Sequence, residues 1–414
     1  MKEKFHYCCC NCGAEYPGNK VIYLCPVCSG QNQPGQPKKG VLSAVYNYKE
    51  IKETYRNSLF GKLEEQNFLP LLPINGCASL PKLKIGNTPL YHIEHFDGEE
   101  LPFDLLLKDD SQNPTFSFKD RASALVSAWA KENGIGTIIT ASTGNAGSSL
   151  AGICAAQGQK SVIFVPATAP LAKLTQIVMY GATIVPVDGT YDDAFSLSIK
   201  VTEAFGVYNR NTAYNPLTIE GKKTAAFELF SQLNYMAPDR IFVPVGDGVI
   251  ISGVYKGFED LLLLEVIDHM PVMVAVQSEG SSNLIRNLGN REFRSVPSST
   301  FADSISVNIP ANFHMTAGYM GQYKGEAVIV TDDEILDASV SLAHSTGIFA
   351  EPAAAAAFAG MLKYRSEKRI PEGSKNVVLL TGSGLKDLKS VQPVIRLPEP
   401  VKPEISSLEK IFTK

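Results

Sequence analysis

The chain has 414 residues, too many for one ordinary core, so we expect two domains or one large domain with an appendage. Apolar residues make up 44% of it, enough for sizeable cores, and the near-balanced net charge of -4 argues against a nucleic-acid-binding surface. No apolar run approaches the roughly 20 residues of a membrane helix, and no signal-peptide core is present. The sequence therefore favours small-molecule chemistry in a cytoplasmic protein, without nucleic-acid or membrane partners.

Six of the eight cysteines fall within the first 28 residues, a spacing that favours a metal site over a disulfide framework. Two C-x2-C pairs there can turn four thiolates toward one zinc ion. The predicted ligands are Cys9, Cys12, Cys25 and Cys28. We predict a closed, structural zinc ribbon over residues 1–32. Four unligated thiols are the alternative, and Cys8 or Cys10 could replace Cys9, although only Cys9 keeps the spacing to Cys12.

Residues 31–40 are rich in Gln, Pro, Gly and Lys, which predicts a linker. From about Leu105 onward, short apolar runs alternate with amphipathic stretches, and this pattern predicts βαβ units with parallel sheets. The first series has strands at 136–140, 161–166, 182–187 and 207–210, and helices at 146–157, 171–180 and 192–205. The second series has helices at 224–233 and 250–266, and strands at 240–245, 272–277 and 376–380.

These two series predict an α/β fold of two open, mainly parallel-sheet domains that face each other across a cleft. Open parallel sheets bind ligands beyond the carboxyl ends of their strands, and both series place glycine-rich turns there. We expect a small domain at 108–210 and a large domain made of 33–107 and 211–400.

The segment 113–121 (Asn-Pro-Thr-Phe-Ser-Phe-Lys-Asp-Arg) joins an acidic turn to a helix that runs through Leu125 and Trp129. It puts Lys119 at a helix start, where the positive end of the dipole disfavours a merely structural cation. A lowered lysine pKa there would favour the neutral amine that forms a Schiff base. On local physics alone, an exposed surface lysine is the commoner case.

Three more turns follow predicted strands. At 141–145, hydroxyls and helix-start N–H groups suit a carboxylate or phosphate, although ordinary N-capping explains them equally well. At 246–250, glycines let the backbone approach a phosphate, provided that the Asp247 side chain turns away; a plain tight turn is the alternative. At 381–384, the Thr381 hydroxyl can bond one neutral acceptor, and again a plain turn is the alternative.

In this order, the pieces resemble the threonine synthases of the pyridoxal phosphate (PLP) fold-type II superfamily, from the ribbon to about Lys389. The segment 86–90 (Gly-Asn-Thr-Pro-Leu) resembles the family's first motif, and 113–121 resembles its cofactor-lysine motif. The resemblance implies that Lys119 forms the Schiff base and acts as general acid and base. It implies that the cofactor's phenolic oxygen contacts Asn145, its phosphate Gly246, Asp247, Gly248, Val249 and Ile250, and its pyridine nitrogen Thr381. It implies that the substrate carboxylate is held by Ser142, Thr143 and Gly144.

The resemblance also implies a carbon–oxygen lyase of threonine biosynthesis. The γ-phosphate would leave O-phospho-L-homoserine, and water would add at the β-carbon. A hydroxyl rather than a carboxylate at the pyridine nitrogen suits elimination and replacement over transamination. Dimers are common in the superfamily, so a homodimer is expected.

Three positions depart from the family pattern. Phe116 stands where Gly is usual, Ala146-Gly147 stands where a Thr-containing pair is usual, and 217–219 lack the arginine that binds the substrate phosphate. Our hypothesis is that the missing cation comes from Lys222, Lys223, Arg121 or Lys173. The alternative functions are a serine or threonine ammonia-lyase, β-replacement on an activated serine, and a non-catalytic relative that binds partners through its ribbon.

Overall fold

A computed structural model describes residues 3–412 and opens with a small antiparallel sheet. The first elements are β1 (Phe5–Cys9), β2 (Glu15–Pro17), α1 (Pro26–Ser29) and β3 (Leu42–Tyr46). The strands pair in the order β2–β1–β3, and buried residues alternate with half-buried ones along β1 and β3. Because β3 closes this sheet, the ribbon's fold includes residues beyond the cysteine-bearing segment.

A connecting stretch and a hairpin follow the ribbon. Their elements are α2 (Tyr48–Tyr55), α3 (Leu59–Glu65), β4 (Leu90–Phe96) and β5 (Glu99–Asp109). The hairpin strands were not among the predicted ones, although β5 contains a continuous buried stretch typical of a sheet interior.

A four-stranded parallel sheet, here called the small sheet, comes next. Its elements are α4 (Lys119–Glu132), β6 (Thr137–Ala141), α5 (Asn145–Gln157), β7 (Lys160–Pro166), α6 (Leu171–Met179), β8 (Thr183–Val187), α7 (Tyr191–Phe205) and β9 (Tyr208–Asn209). The strand order is β8–β7–β6–β9. These elements confirm the first predicted series to within about two residues. Local signals explain the accuracy: a capping box at Thr190 starts α7, and Gly206 ends it in the left-handed conformation.

The remaining elements build a six-stranded sheet, here called the large sheet. They are α8 (Leu217–Lys222), α9 (Thr224–Gln232), β10 (Arg240–Pro244), α10 (Val249–Leu263), β11 (Val272–Ser278), α11 (Asn283–Asn287), α12 (Phe313–Gln322), β12 (Glu326–Val330), α13 (Asp332–Thr346), α14 (Pro352–Ser366), β13 (Lys375–Leu380) and α15 (Glu409–Phe412). The order is β12–β11–β10–β13–β5–β4, and only the β4–β5 pair is antiparallel.

The alanine-rich helix α14 lies against the large sheet. A Cβ on Gly360 would come within 2.6 Å of the Val276 side chain, so small residues permit this close approach. The carboxyl ends of β5, β10 and β13 lead into the three segments predicted to hold a cofactor, and the ends of β6 and β9 lead toward the same cleft. Within residues 3–412, no helix combines the length and apolar character needed to cross a membrane.

Candidate active site

The loop that carries Lys119 is hydrogen-bonded to the end of β13. The Phe118 amide donates to the Thr381 carbonyl at 2.9 Å, and the Ser383 amide donates to the Phe116 carbonyl at 3.1 Å. Lys119 itself is the first residue of α4. Two segments that are far apart in the sequence, each predicted to contact a cofactor, therefore lie side by side.

Phe116 adopts a left-handed backbone conformation, with φ of +68°. This region disfavours residues with a Cβ by about 1–2 kcal/mol and is readily reached by glycine. The geometry thus explains why glycine suits this position, and it shows that the loop keeps the same turn with phenylalanine. The Phe116 side chain is 49% exposed.

The Lys119 side chain is half-buried, and its amine hydrogen-bonds no other residue in the described part of the chain. Burial lowers the pKa of Lys119; Glu351 and Asp247 oppose this effect, and Arg210 adds to it. A lowered pKa favours the neutral amine, which is the nucleophilic form.

Glu351 is a candidate site residue that sequence reasoning missed. Asn145 donates from Nδ2 to both of its carboxylate oxygens, at 2.9 and 3.0 Å. Glu351 is buried just before α14, and a Cβ on Gly382 would lie 2.5 Å from its Oε1. Burial raises the pKa of Glu351, while Asn145 and Lys119 oppose that rise. The signal available in the sequence was a lone acidic residue directly before an alanine run.

The 246–250 turn links β10 to α10. Gly248 has φ of +85°, and a Cβ there would lie 2.2 Å from Thr316 Oγ1, so the turn requires glycine. The Asp247 carboxylate accepts from the Ala311 amide at 3.0 Å, and its side chain is thereby turned toward that neighbouring segment. The start of α10 offers backbone N–H groups that lack helical partners, a setting suited to phosphate.

The turn before α5 is equally tight. Ser142 and Thr143 are half-buried at its outer edge, and Gly144 has open space around it. A Cβ on Gly147 would lie 2.3 Å from the Ser142 carbonyl oxygen. A larger residue at 147 would force the turn to move, which explains the glycine found there.

Arg121 is held within a buried ion-pair network. Its guanidinium lies 2.6 Å from Asp110 and 2.6 Å from Glu228, and Lys108 reaches the same Glu228 at 2.9 Å. A Cβ on Gly86 would lie 2.4 Å from Glu228 Oε1, so the first motif packs on this network. The charge of Arg121 is therefore already balanced by two carboxylates.

The lysine candidates for the missing cation differ in their partners. Lys223 is buried with Glu220 at 2.5 Å and Asp260 at 2.7 Å, and Lys173 pairs with Asp303 at 2.7 Å. Lys222 is also fully buried, but among the described residues its ammonium donates only to a backbone carbonyl of its own helix. The structure thus leaves Lys222 as the candidate without a carboxylate partner in the described chain.

The donor set matches the chemistry of PLP. The Lys119 amine suits an aldehyde carbon, the 246–250 helix start suits a phosphate, and the Thr381 hydroxyl at a strand end suits a neutral ring nitrogen. Ser117 adds a buried hydroxyl that has no partner among residues 3–412. The residues present therefore fit this cofactor.

Four cysteine sulfurs converge in the ribbon. The Cys9 and Cys28 sulfurs are 3.8 Å apart, those of Cys12 and Cys25 are 3.7 Å apart, and all four lie within 4.8 Å of one another. A tetrahedral zinc ion with bonds of about 2.3 Å would hold its sulfurs about 3.8 Å apart. Cys10 is exposed and stands outside this cluster.

Comparisons with known proteins agree with this geometry. The pyridoxal-phosphate dependent enzyme family matches residues 82–382. The threonine synthase of Methanocaldococcus jannaschii is 33% identical over 410 residues, covering 98% of each chain, and that of Synechocystis sp. is 36% identical over 351 residues, covering 83% of this chain and 85% of the other.

A solved structure of threonine deaminase isoform 2 from Solanum lycopersicum has the same fold. It superposes with a TM-score of 0.66 at 22% identity, covering 83% of this chain and 94% of the other. Maize serine racemase superposes with a TM-score of 0.63 at 23% identity, covering 75% of this chain and 92% of the other. With the fold, the lysine site and the sequence match in agreement, this chain belongs to the family of pyridoxal-phosphate dependent enzymes.

Proposed function

We propose that this protein acts as a threonine synthase, which converts O-phospho-L-homoserine and water to L-threonine and phosphate. The observation that carries the proposal is the half-buried Lys119 amine at the meeting point of the strand ends, with a lowered pKa and no hydrogen-bond partner in the described chain. Threonine synthases that match this chain along nearly all its length support the choice of reaction.

Each side chain at the cleft has a proposed task. Bound PLP supplies the electron sink that makes the hydrogen on an amino acid's α-carbon acidic. Lys119 would hold the cofactor until the amino group of the substrate displaces it, and its freed neutral amine would then remove that proton and return protons later in the reaction. Ser142 and Thr143 orient the substrate carboxylate with hydroxyl and amide donors. Asn145 contacts the phenolic oxygen of the cofactor, and Glu351 holds the Asn145 amide in position through their hydrogen bonds.

Thr381 decides which reaction type the cleft favours. A neutral hydroxyl does not hold a proton on the ring nitrogen as a carboxylate would. Elimination and replacement are therefore favoured over transamination. This is the reaction type that threonine formation from a phosphorylated substrate requires.

We propose that the four clustered cysteines hold a structural zinc ion. Four thiolates fill a tetrahedral site and leave no position for water or substrate, so the ion would stabilise the ribbon and take no part in the chemistry. The homodimer, the cytoplasmic location and the lack of a nucleic-acid partner stay predictions.

The test supplies purified, PLP-loaded protein with O-phospho-L-homoserine and measures both phosphate and threonine. We expect equimolar release of the two products. Lys119→Ala should lower the rate by about a hundredfold or more, because general acid–base catalysis contributes about 10²–10⁴-fold. Lys131→Ala, an exposed change at the far end of α4, should leave the rate unchanged.

One observation favours a second candidate, an ammonia-lyase acting on serine or threonine: residues 217–219 carry no cation. The same substrate panel separates the two. If serine or threonine yields a keto acid while O-phospho-L-homoserine releases no phosphate, the synthase proposal is wrong.

A further inference from the structure

Arg210 is a buried cation with no assigned task in the reaction above. It directly follows β9, at the carboxyl edge of the small sheet, and has 0% of its surface exposed. Its Nε donates to Ser123 Oγ at 3.2 Å and its Nη1 to Thr212 Oγ1 at 2.7 Å. Its Nη2 has no partner anywhere in residues 3–412, and no described carboxylate forms an ion pair with it. An unpaired buried charge is costly, so this nitrogen indicates an anion-binding role.

The bond to Ser123 locates the guanidinium. Ser123 lies one helical turn after Lys119 on α4, so Arg210 reaches the same end of the helix as the reactive lysine. The Arg210 amide donates to the Ile139 carbonyl in β6, the strand that leads into the 142–144 turn. Arg210 is therefore tied both to the first turns of α4, the helix that begins with Lys119, and to the strand that leads into the turn predicted to hold the substrate carboxylate.

Lys222, on α8, is a second fully buried cation. It has 0% exposure, and its side chain makes one hydrogen bond within residues 3–412, to the Thr218 carbonyl at 3.1 Å, which leaves donor capacity free. A Cβ on Gly253 would lie 2.5 Å from the Lys222 Cβ, so Lys222 packs on the first turns of α10. No carboxylate in the described chain forms an ion pair with Lys222.

The electrostatic surroundings of Lys222 include two other cations. Burial lowers the pKa of Lys222, Arg210 and Lys119 lower it further, and Asp247 opposes them. Burial lowers the pKa of Arg210 to about 10, against opposition from Tyr191 and Asp120. A buried cation that has no carboxylate partner is stabilised when it binds an anion.

We propose that Arg210 and Lys222 together bind the phosphate group of the substrate, in place of a cation at 217–219. The proposal rests on the proposed function, because O-phospho-L-homoserine is the source of that phosphate. Arginine forks and lysine point charges are both suited to phosphate oxygens. The phosphate of the cofactor is the other source of this chemistry, but the helix start at 246–250 already provides a place for it.

The test compares the binding of two ligands to PLP-loaded protein. Binding is monitored through the visible absorption of the cofactor. One is 2-amino-5-phosphonopentanoate, in which a methylene replaces the ester oxygen of the substrate, and the other is L-norvaline, the same chain without the phosphonate. The variants are Arg210→Met and Lys222→Met, with Lys131→Met as the matched exposed control. PLP affinity is measured for each protein.

We expect the wild type to bind the phosphonate more tightly than norvaline. Each variant should lose about tenfold to a hundredfold of that preference, the range for a hydrogen bond to a charged group, while norvaline affinity stays within about threefold. Unchanged norvaline binding also shows that the variant is folded. If Arg210→Met does not fold, Arg210→Lys keeps the charge, removes the fork and should lose part of the preference.

Three results would overturn the inference: a wild type without phosphonate preference, variants that keep the full preference, or variants that lose PLP affinity instead. The last would assign the pair to the cofactor phosphate. Phosphate release from O-phospho-L-homoserine by the wild type is scored separately. If the wild type releases phosphate but the variants keep the preference for the phosphonate, only this inference is wrong. If the wild type releases no phosphate but the preference depends on Arg210, only the proposed reaction is wrong.

Discussion

At the residue scale, the site depends on how single charges are balanced. Burial has the largest effect on the pKa of Lys119 and lowers it; Glu351 and Asp247 oppose this effect, and Arg210 adds to it. Removing the charge of Glu351 tests how far this carboxylate affects the pKa of Lys119. Glu351 also accepts a hydrogen bond from Asn145.

We predict that Glu351→Gln shifts the protonation of the Lys119 nitrogen to lower pH. Glutamine keeps an acceptor for Asn145 but removes a negative charge that stabilises the protonated form, and a nearby opposite charge is worth about 1–3 pKa units. The measurement is the pH dependence of the visible absorption of the PLP-loaded protein. Glu279→Gln, an exposed change, is the control. An unaltered titration in Glu351→Gln would show that Glu351 does not act on Lys119 as a carboxylate.

Glu228 is the residue whose charge most clearly bears on stability. Burial alone would raise its pKa, but Arg121 and Lys108 lower it to about 2, from an ordinary value of 4.5. Because the folded pKa is depressed, the stabilisation is fully present above about pH 4.5 and is lost as the pH falls toward 2.

We predict that Glu228→Gln lowers the free energy of unfolding at pH 7 by about 3–5 kcal/mol. Arg121 keeps Asp110 as a partner, but the buried Lys108 loses the carboxylate it pairs with. The variant should also lose less stability than the wild type between pH 4.5 and 2. Urea unfolding at pH 7 and pH 3 measures both effects, with the exposed Glu53→Gln as control. If the free energy of unfolding falls by the same amount between pH 7 and pH 3 in the wild type and in Glu228→Gln, the role of Glu228 in acid stability is refuted.

At the element scale, the two-residue strand β9 is held from both sides. It pairs with β6 through Tyr208 and Asn209, and the Asn209 amide donates to the Tyr23 hydroxyl of the ribbon at 2.8 Å. The Tyr23 ring stacks on Tyr214, with ring centres 4.4 Å apart. The ribbon thereby supports the strand that presents Arg210.

We predict that Tyr23→Phe costs about 1–2 kcal/mol of stability, because the Asn209 amide loses its acceptor. Affinity for the phosphonate ligand should fall severalfold while norvaline binding changes less, since Arg210 directly follows Asn209. Tyr91→Phe, whose hydroxyl has no hydrogen bond within the described chain, is the control. A Tyr23→Phe protein with wild-type stability would show that β9 does not depend on the ribbon.

At the scale of the whole molecule, the loop that follows the ribbon's second cysteine pair contacts segments beside both the small sheet and the large sheet. In that loop, the Gln36 side chain donates to the Phe293 carbonyl at 3.4 Å, and the Lys38 ammonium lies 4.4 Å from the Phe195 ring centre. Phe195 belongs to α7 beside the small sheet, and Phe293 precedes α12 beside the large sheet. One segment next to the cysteine cluster therefore contacts both sides of the cleft.

We predict that removing the metal with a chelator lowers the melting temperature and weakens substrate binding together. Loss of the ribbon should cost about 2 kcal/mol or more, because a segment this short depends on its metal to fold. Calorimetry and ligand titration measure the two effects, and chelator saturated with zinc is the control. Cys28→Ser should reproduce the loss, whereas Cys77→Ser, outside the cluster, should not. Unchanged ligand binding after metal removal would show that substrate binding in the cleft does not depend on the ribbon.

The sequence by itself determined the α/β class, most helices and strands from 136 to 277, the cysteine cluster and the segment that carries Lys119. These follow from local patterns: hydrophobic period, caps, glycine turns and cysteine spacing act over a few residues. The hairpin β4–β5 and the strand β12 were missed, since their assignment depends on neighbours in the large sheet.

Only the tertiary structure decided which charges are already paired. Lys222 and Lys223 are adjacent in sequence, yet Lys223 meets Glu220 and Asp260 while Lys222 meets no carboxylate in the described chain. Glu351 is another example: it accepts a hydrogen bond from Asn145 across the cleft, although the two residues are far apart along the chain. The physical reason is that the state of a buried charge depends on neighbours in space, and side chains distant in sequence supply them.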